Sequence, residues 1–371
     1  MFRWQRLAGV LIGLGTASLF LALVGSSQRS LPPGGPILSE CNGHLRQVVM
    51  HYEPGAREIV APVYRDFLRA LAPDTQVCVV CPDRAAYDEF LAVTHSSHRG
   101  LTPIIAGHPV TAWARDRWVA LAPAPKGGAT TLWSPRGEAG AEVWPARAGD
   151  ERVGKDIATA LGKTVRAVRS GLYFDGGDFL ADSETAFVMP RMVPRNLQQT
   201  VATREELLSI LARELKRRVI LLNAAPDHHA GMFMASVGGR RMLVGDPSLA
   251  KQAIGEDRMD LPGGPDFSAA TQGLFDAVAA QCAAAGYEVV RVPVVPACDG
   301  RTYLTYVNVI MDEVAGQRIV YLPLYRGVEP LNQAARKVWE RLGYQVRAVD
   351  CTSTYRHFGC LHCLVNVVSR G

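Results

Sequence analysis

The sequence predicts an α/β fold: a single domain of repeated ββαβ units that runs from residue 45 to 371. Three observations carry this expectation. Amphipathic segments of helical period alternate with short apolar runs rich in β-branched residues. Hairpin-like pairs of runs recur between the helices, which sets the pattern apart from a simple parallel βαβ series. A chain of 371 residues with 48% hydrophobic content, and no linker inside the body, is large enough for one extensive core.

Taken in order, RQVVMHY (46–52) predicts a strand, AREIVAPVYRDFLRALA (56–72) an amphipathic helix, QVCVVCP (76–82) a strand and RAAYDEFLAV (84–93) a helix. Strands follow at VRAV (165–168), FLAD (179–182) and AFVMP (186–190). The helix TREELLSILARELKRR (203–218) and the strand VILLNAAP (219–226) come next. MFMASVGG (232–239) and RRMLVGD (240–246) read as a hairpin, AATQGLFDAVAAQCAAAG (269–286) as a helix and YEVVRVPVV (287–295) as a strand. The last unit pairs TYLTYVNVIMDE (302–313) with QRIVYLPLY (317–325). It continues with the helix LNQAARKVWERLG (331–343) and the strands YQVRAVD (344–350) and CLVNVV (363–368).

The N-terminus has a different character. Arg3 and Arg6 precede an apolar run from Leu7 to Gly25, which at about 1.5 Å per residue reaches across the roughly 30 Å of a bilayer core. Residues 1–30 are therefore expected to be an export signal, either cleaved or kept as a membrane anchor, with the body periplasmic, secreted or tethered. Residues 31–44 are expected to be a linker, after the Pro/Gly-rich stretch that ends at Pro36. Contact with a membrane is expected only through this segment.

Composition narrows the functional classes. The 40 basic and 35 acidic residues leave a net charge of +5, and the densest basic run, Lys216–Arg218, is short. No basic cluster with interleaved aromatics marks a nucleic-acid groove, so no nucleic-acid partner is expected. The eight cysteines are sparse and irregularly spaced, unlike a disulfide-stapled miniprotein.

Two CxxC spacings raise the question of a metal or redox site. Cys78 and Cys81 lie in a strand without a turn residue between them, where residues three apart face opposite ways. They read as core packing rather than a zinc knuckle. Cys360 and Cys363 follow Gly359, but an apolar β-branched tail comes after them instead of the helix on which a redox pair is usually seated. No metal is expected. Cys363 is then a candidate nucleophile. Its neighbour His362 would point away from it on a strand, so the histidine that moves its proton must come from elsewhere.

PDHHAGMFMA supplies His228 and His229. AWARDRWVAL sets Arg115 and Asp116 between Trp113 and Trp118, and YFDGGDFLAD sets Asp175 and Asp178 around a Gly-Gly turn. Turn chemistry accounts for Asp and Gly in such places, yet a carboxylate between two tryptophans is costly to bury without a cation to meet it. A thiol, a remote histidine and several carboxylates in an apolar setting suit a planar cation with an electrophilic carbon. A guanidinium has those properties and, with a pKa above about 12, does not lose its charge.

The segments WARD, FDGGDFLAD, the histidine before a strand, TYLTYVNVIM and the terminal GCLHC occur here in the order found in the agmatine deiminase and bacterial peptidylarginine deiminase family, which the chain resembles. These segments span residues 113–363. The resemblance implies the pentein fold, a five-bladed α/β propeller, and a hydrolase that cleaves a guanidine C–N bond with no cofactor. It implies Cys363 as nucleophile, His229 as general acid and base, and Asp116 and Asp175 as guanidinium ligands. Trp113, Arg115, Asp178 and Asn308 fall beside these as substrate-binding candidates. The substrate would be a small guanidine (agmatine or arginine) or an arginyl peptide.

The sequence departs from the family's pattern at two points. Gly231 stands where an aspartate usually follows the histidine by two positions, and Asp175 where glutamate is common. The related dimethylarginine hydrolases also lack the first carboxylate. Empty volume is therefore expected beside Gly231, to be filled by a substituent on the substrate, by water or by Asp227. Amidinotransfer, N-methylarginine hydrolysis, non-catalytic guanidine or arginine-peptide binding, and thiol–disulfide chemistry at Cys360/Cys363 are the rival readings.

Overall fold

One motif recurs five times among the residues that the computed structural model describes, which are 34–371 apart from 125–126, 138–144 and 255–259. In each copy two antiparallel strands are followed by a helix and by a third strand parallel to the second. The first copy contains β1 (Leu45–His51), α1 (Arg57–Ala70) and β2 (Gln76–Cys81), extended by α2 (Arg84–Thr94) and a further parallel strand, β3 (Leu101–Ile105). The second is β4 (Val119–Leu121), β5 (Thr130–Ser134), α3 (Pro145–Leu161) and β6 (Val165–Arg169). The third is β7 (Phe179–Ala181) and β8 (Thr185–Val188), the helices α4 (Met192–Asn196) and α5 (Arg204–Leu215), and β9 (Arg218–Leu221).

The fourth copy joins β10 (Met234–Ser236) and β11 (Arg241–Asp246) through α6 (Pro247–Ile254) and α7 (Ala269–Ala284) to β12 (Glu288–Pro296), with β13 (Tyr303–Thr305) on its edge. The fifth is β14 (Ile310–Val314), β15 (Gln317–Leu324), α8 (Glu329–Arg341) and β16 (Gln345–Asp350). A one-turn helix, α9 (Leu361–Leu364), then leads into β17 (Val365–Arg370), which pairs antiparallel with β1 and supplies the missing first strand of the first copy. The two ends of the domain are thereby hydrogen-bonded into one sheet.

The helices form for local reasons. Val60, Val63, Tyr64 and Phe67 fall on one face of α1 at helical spacing and are buried against the sheets. Asp83, Thr203 and Ser268 cap α2, α5 and α7 by accepting from the backbone N–H three residues on. The strands β4, β5, β7 and β8 are buried along their whole length, and burial of each large apolar side chain stabilises by about 1.5–3 kcal/mol. Cys78 and Cys81 point into separate clusters on opposite faces of β2, and burial pushes their thiols up to about 11 and about 12. They are packing residues.

Several expectations are corrected. Residues 34–44, counted with the linker, belong to the body: Ile37 bridges to Leu121, and Gly35 and Leu38 donate to the Ala122 and Ala120 carbonyls. The apolar pair Ile37 and Leu38 covers the edge of β4, which outweighs the surrounding Pro and Gly. The single strand expected over 302–313 is broken at Tyr306–Val309, so β13 pairs with β12 while β14 pairs with β15 in another sheet. The strand expected from Cys363 starts two residues later, after α9. The elements β3, β5 and α3 gave no clear periodicity: β3 contains Pro103, and α3 carries Gly149 and Gly154 on its inner side. The expected export segment, residues 1–30, lies outside the described residues. Among the described residues no helix is long and apolar enough to cross a membrane.

Candidate active site

The repeat places the chemistry. Asp116 precedes β4, Asp175 and Asp178 precede β7, His229 precedes β10, Asn308 precedes β14 and Cys363 precedes β17. All five segments enter the first strand of their own copy. That strand runs antiparallel to the other two, so its start lies at the end where the parallel strands finish, the usual location of sites in such sheets. The loops are also stitched together directly. Arg115 N–H donates to the Cys363 carbonyl at 3.2 Å, and Gly176 N–H to the Asp116 carbonyl at 2.7 Å. Asn366 on β17 holds the Ala114 and Trp118 carbonyls through its amide group.

Cys363 is 4% exposed, on a helical turn rather than a strand. Asn308 fixes it from below: its Nδ2 lies 3.5 Å from Cys363 Sγ and 3.1 Å from the Gly231 carbonyl, while its Oδ1 accepts from His362 N–H at 2.9 Å. Cys360 faces elsewhere, with Sγ 3.3 Å from the Tyr325 hydroxyl and its packing in a different cluster.

His229 stands between two carboxylates. Its Nδ1 is 3.9 Å from Asp116 Oδ1 and its Nε2 is 3.8 Å from Asp175 Oδ2. Burial opposes protonation of the ring, but Asp175, a hydrogen bond with Cys363 and the Asp116 charge outweigh it and raise the imidazole to about 10. Gly177 makes the approach possible, because a Cβ there would lie 2.3 Å from the ring. His228 behaves oppositely. Burial and the neighbouring His229 and arginine charges push it down to about 3, and its Nδ1 accepts from His229 N–H at 2.7 Å. The proton affinities of the adjacent histidines are thus shifted in opposite directions.

The two aspartates also diverge. Burial raises Asp116 despite Arg147 and His229 beside it, whereas for Asp175 His229, Arg195 and Arg191 overcome burial and hold the carboxyl well below its ordinary value. Sequence reading missed these arginines. Arg147 Nη2 is 2.8 Å from Asp116 and 3.7 Å from Asp175. Arg117, Arg191 and Arg195 reach Asp175 at 3.2, 3.2 and 3.1 Å, and Arg117 is also paired with Glu151. The motifs WARDR and PRMVPRN contain three of them, but nothing in the sequence says which carboxylates they meet.

The remaining candidates are distributed as follows. Asp178 is fully buried, accepts from Asp175 N–H at 2.8 Å and anchors Arg191 and Arg195, so it braces the site from behind. Arg115 turns its guanidinium away from the thiol, to Glu40 at 2.5 Å and Asn366 at 3.3 Å. Trp113 is half-buried with its ring over Gly359, beside α9. The expected empty volume at Gly231 is absent. A Cβ there would lie 2.9 Å from His362 Nδ1 and 3.3 Å from Asn308 Nδ2, so the place is filled by His362. That ring is held neutral, first by burial and then by the Arg115 and Arg370 charges. Asp227 is exposed.

No family model and no curated protein matches the chain. Solved structures do. The agmatine deiminase of C. jejuni superposes with a TM-score of 0.67 at 12% identity, covering 90% of this chain and 96% of that one. The agmatine deiminase of Enterococcus faecalis superposes with a TM-score of 0.64 at 14% identity, covering 91% and 96%. The chain therefore has the pentein fold that these proteins share, over nearly its whole described length.

Proposed function

We propose that the protein is a hydrolase of a guanidine C–N bond with Cys363 as covalent nucleophile. The observation that supports this reading is the placement of His229 between Asp116 and Asp175 and against the Cys363 thiol, where its proton affinity is raised. In the proposed cycle the Cys363 thiolate bonds to the central guanidine carbon. The bond from that carbon to a terminal nitrogen breaks as His229 gives its proton to the nitrogen, which leaves as ammonia. Neutral His229 then takes one proton from the water that attacks the thiouronium carbon, and the C–S bond breaks as the new hydroxyl gives its remaining proton to solvent, which releases the ureido product and the thiolate. Asp175 keeps the imidazolium paired through the first half of the cycle. Asn308 positions the sulfur.

The test is a colorimetric ureido assay over a panel of guanidines, together with iodoacetamide labelling. Turnover of at least one guanidine, and alkylation at Cys363 that the same guanidine blocks, are expected. A guanidine that protects Cys363 without being turned over would instead fit a binding protein, the second reading, which the internal pairing of Asp116 and Asp175 with arginines favours. Export of the body, from the basic and apolar residues 1–30, belongs to the same proposal.

A further inference from the structure

The acidic half of this site is neutralised by the chain itself. The Arg147, Arg191 and Arg195 side chains are 29, 27 and 25% exposed, whereas the Asp175 and Asp116 side chains below them are 16 and 8% exposed. The guanidinium groups are the more solvent-accessible members of these pairs. Asp116, Asp175, Asp178 and Glu151 face Arg117, Arg147, Arg191, Arg195 and the protonated His229, with Arg169 also on Glu151 at 3.3 Å. The buried Asp150 adds a fifth carboxylate beside Arg147 and Arg117, so each described carboxylate of the cluster already faces a cation. A guanidine with an amine tail would bring two more cations into this low-dielectric setting, where like charges repel strongly. A guanidine with an acid on its tail adds no net charge.

We infer that the site takes an acidic guanidine, a guanidinium on a short chain that carries a carboxylate, and that Arg147 grips the acid. The inference rests on the guanidine-hydrolase reading above and names its substrate class. Arg147 Nη2 now occupies the Asp116 and Asp175 oxygens that a substrate guanidinium needs. The incoming guanidinium exchanges with it on these carboxylates. The displaced Arg147 fork, at the mouth of the site, pairs with the substrate's carboxylate, a geometry that suits two parallel N–H bonds. The other arginines do not exchange so easily. Arg191 and Arg195 neutralise Asp178, whose side chain is fully buried and would be left as an unpaired internal charge. Arg117 is buried and tied to Glu151 as well as Asp175.

The experiment compares three guanidines of one length, 5-guanidinopentanoate, pentylguanidine and agmatine, by ureido production, and by calorimetric binding to the Cys363→Ala variant. The acid is expected to exceed both others in kcat/KM and in affinity by about ten- to a hundredfold, the size of one charge-assisted contact. Arg147→Gln should lower the ratio of acid to pentylguanidine by a similar factor, and Arg147→Lys should restore part of it. Agmatine or pentylguanidine turned over as well as the acid would overturn this inference and leave the hydrolase reading standing. Tight binding of the acid without turnover of any guanidine would uphold the inference while the hydrolase reading fails. No binding of the acid to the Cys363→Ala variant would overturn the inference.

Discussion

His229 and Asp175 form an ion pair between two neighbouring copies of the repeat, with Nε2 3.8 Å from Oδ2, and each moves the other's proton affinity in the direction that keeps both charged. The imidazole is raised to about 10 although burial opposes it. This fixes the pH behaviour. A folded-state value above the unfolded one means stabilisation that is complete below about pH 6.5 and is lost as pH rises towards 10. In His229→Ala, Tm measured across pH 6.5–10 should lose that downward slope. Equal slopes in both proteins would mean that the ring is not protonated.

In the proposed cycle His229 gives its proton to the leaving nitrogen. His229→Ala is expected to lower kcat by roughly 10²–10⁴-fold, the ordinary share of acid–base catalysis, and His228→Ala much less. For the wild type, kcat/KM should fall as pH rises through about 10. Steady-state kinetics on both variants decides the matter, and the reverse ranking would move the acid to His228.

Cys363→Ser should abolish turnover while leaving ligand binding largely intact, because a serine hydroxyl is far harder to ionise than a thiol at neutral pH. Cys360 is turned towards Tyr325, so Cys360→Ser should keep most of the activity. Equal losses would revive a redox role for the pair.

Asn308 holds Cys363 Sγ and the His362 backbone at once, so Asn308→Ala frees both. On the proposed mechanism, a loss in kcat with little change in KM is expected, as for a residue that acts through Cys363 and not on the ligand. Asn308→Asp is the control for shape. Its extra negative charge should slow iodoacetamide at Cys363, whereas Asn308→Ala should not slow it in that way.

At Gly231 the fold leaves no room. A side chain meets His362 and Asn308 within 3.3 Å, so Gly231→Asp should destabilise the protein by about 2–3 kcal/mol or more through overpacking and a buried unpaired carboxylate. Denaturant unfolding measures this. A stable Gly231→Asp variant with improved turnover of an unsubstituted guanidine would show that His362 yields the space.

The sequence by itself determined most of the repeat, since apolar periodicity changes between 2 and 3.6 where a strand gives way to a helix in every copy but the second, whose β5 and α3 show no clear period. Burial cost singled out Asp116 between two tryptophans, while Cys363, His229, Asp175 and Asn308 were candidates through the resemblance of their segments to the deiminase family. Tertiary structure decided the rest. The break at Tyr306–Val309 follows from strands that belong to different sheets, although the apolar run is continuous in sequence. The seat of Cys363 on a turn follows from β17 having to start opposite Met50. Likewise Arg147, Arg191 and Arg195 are ordinary polar positions in or just before helices until folding sets them against Asp116, Asp175 and Asp178. Charge pairing acts through space, so a sequence supplies the charges and only the fold selects their partners.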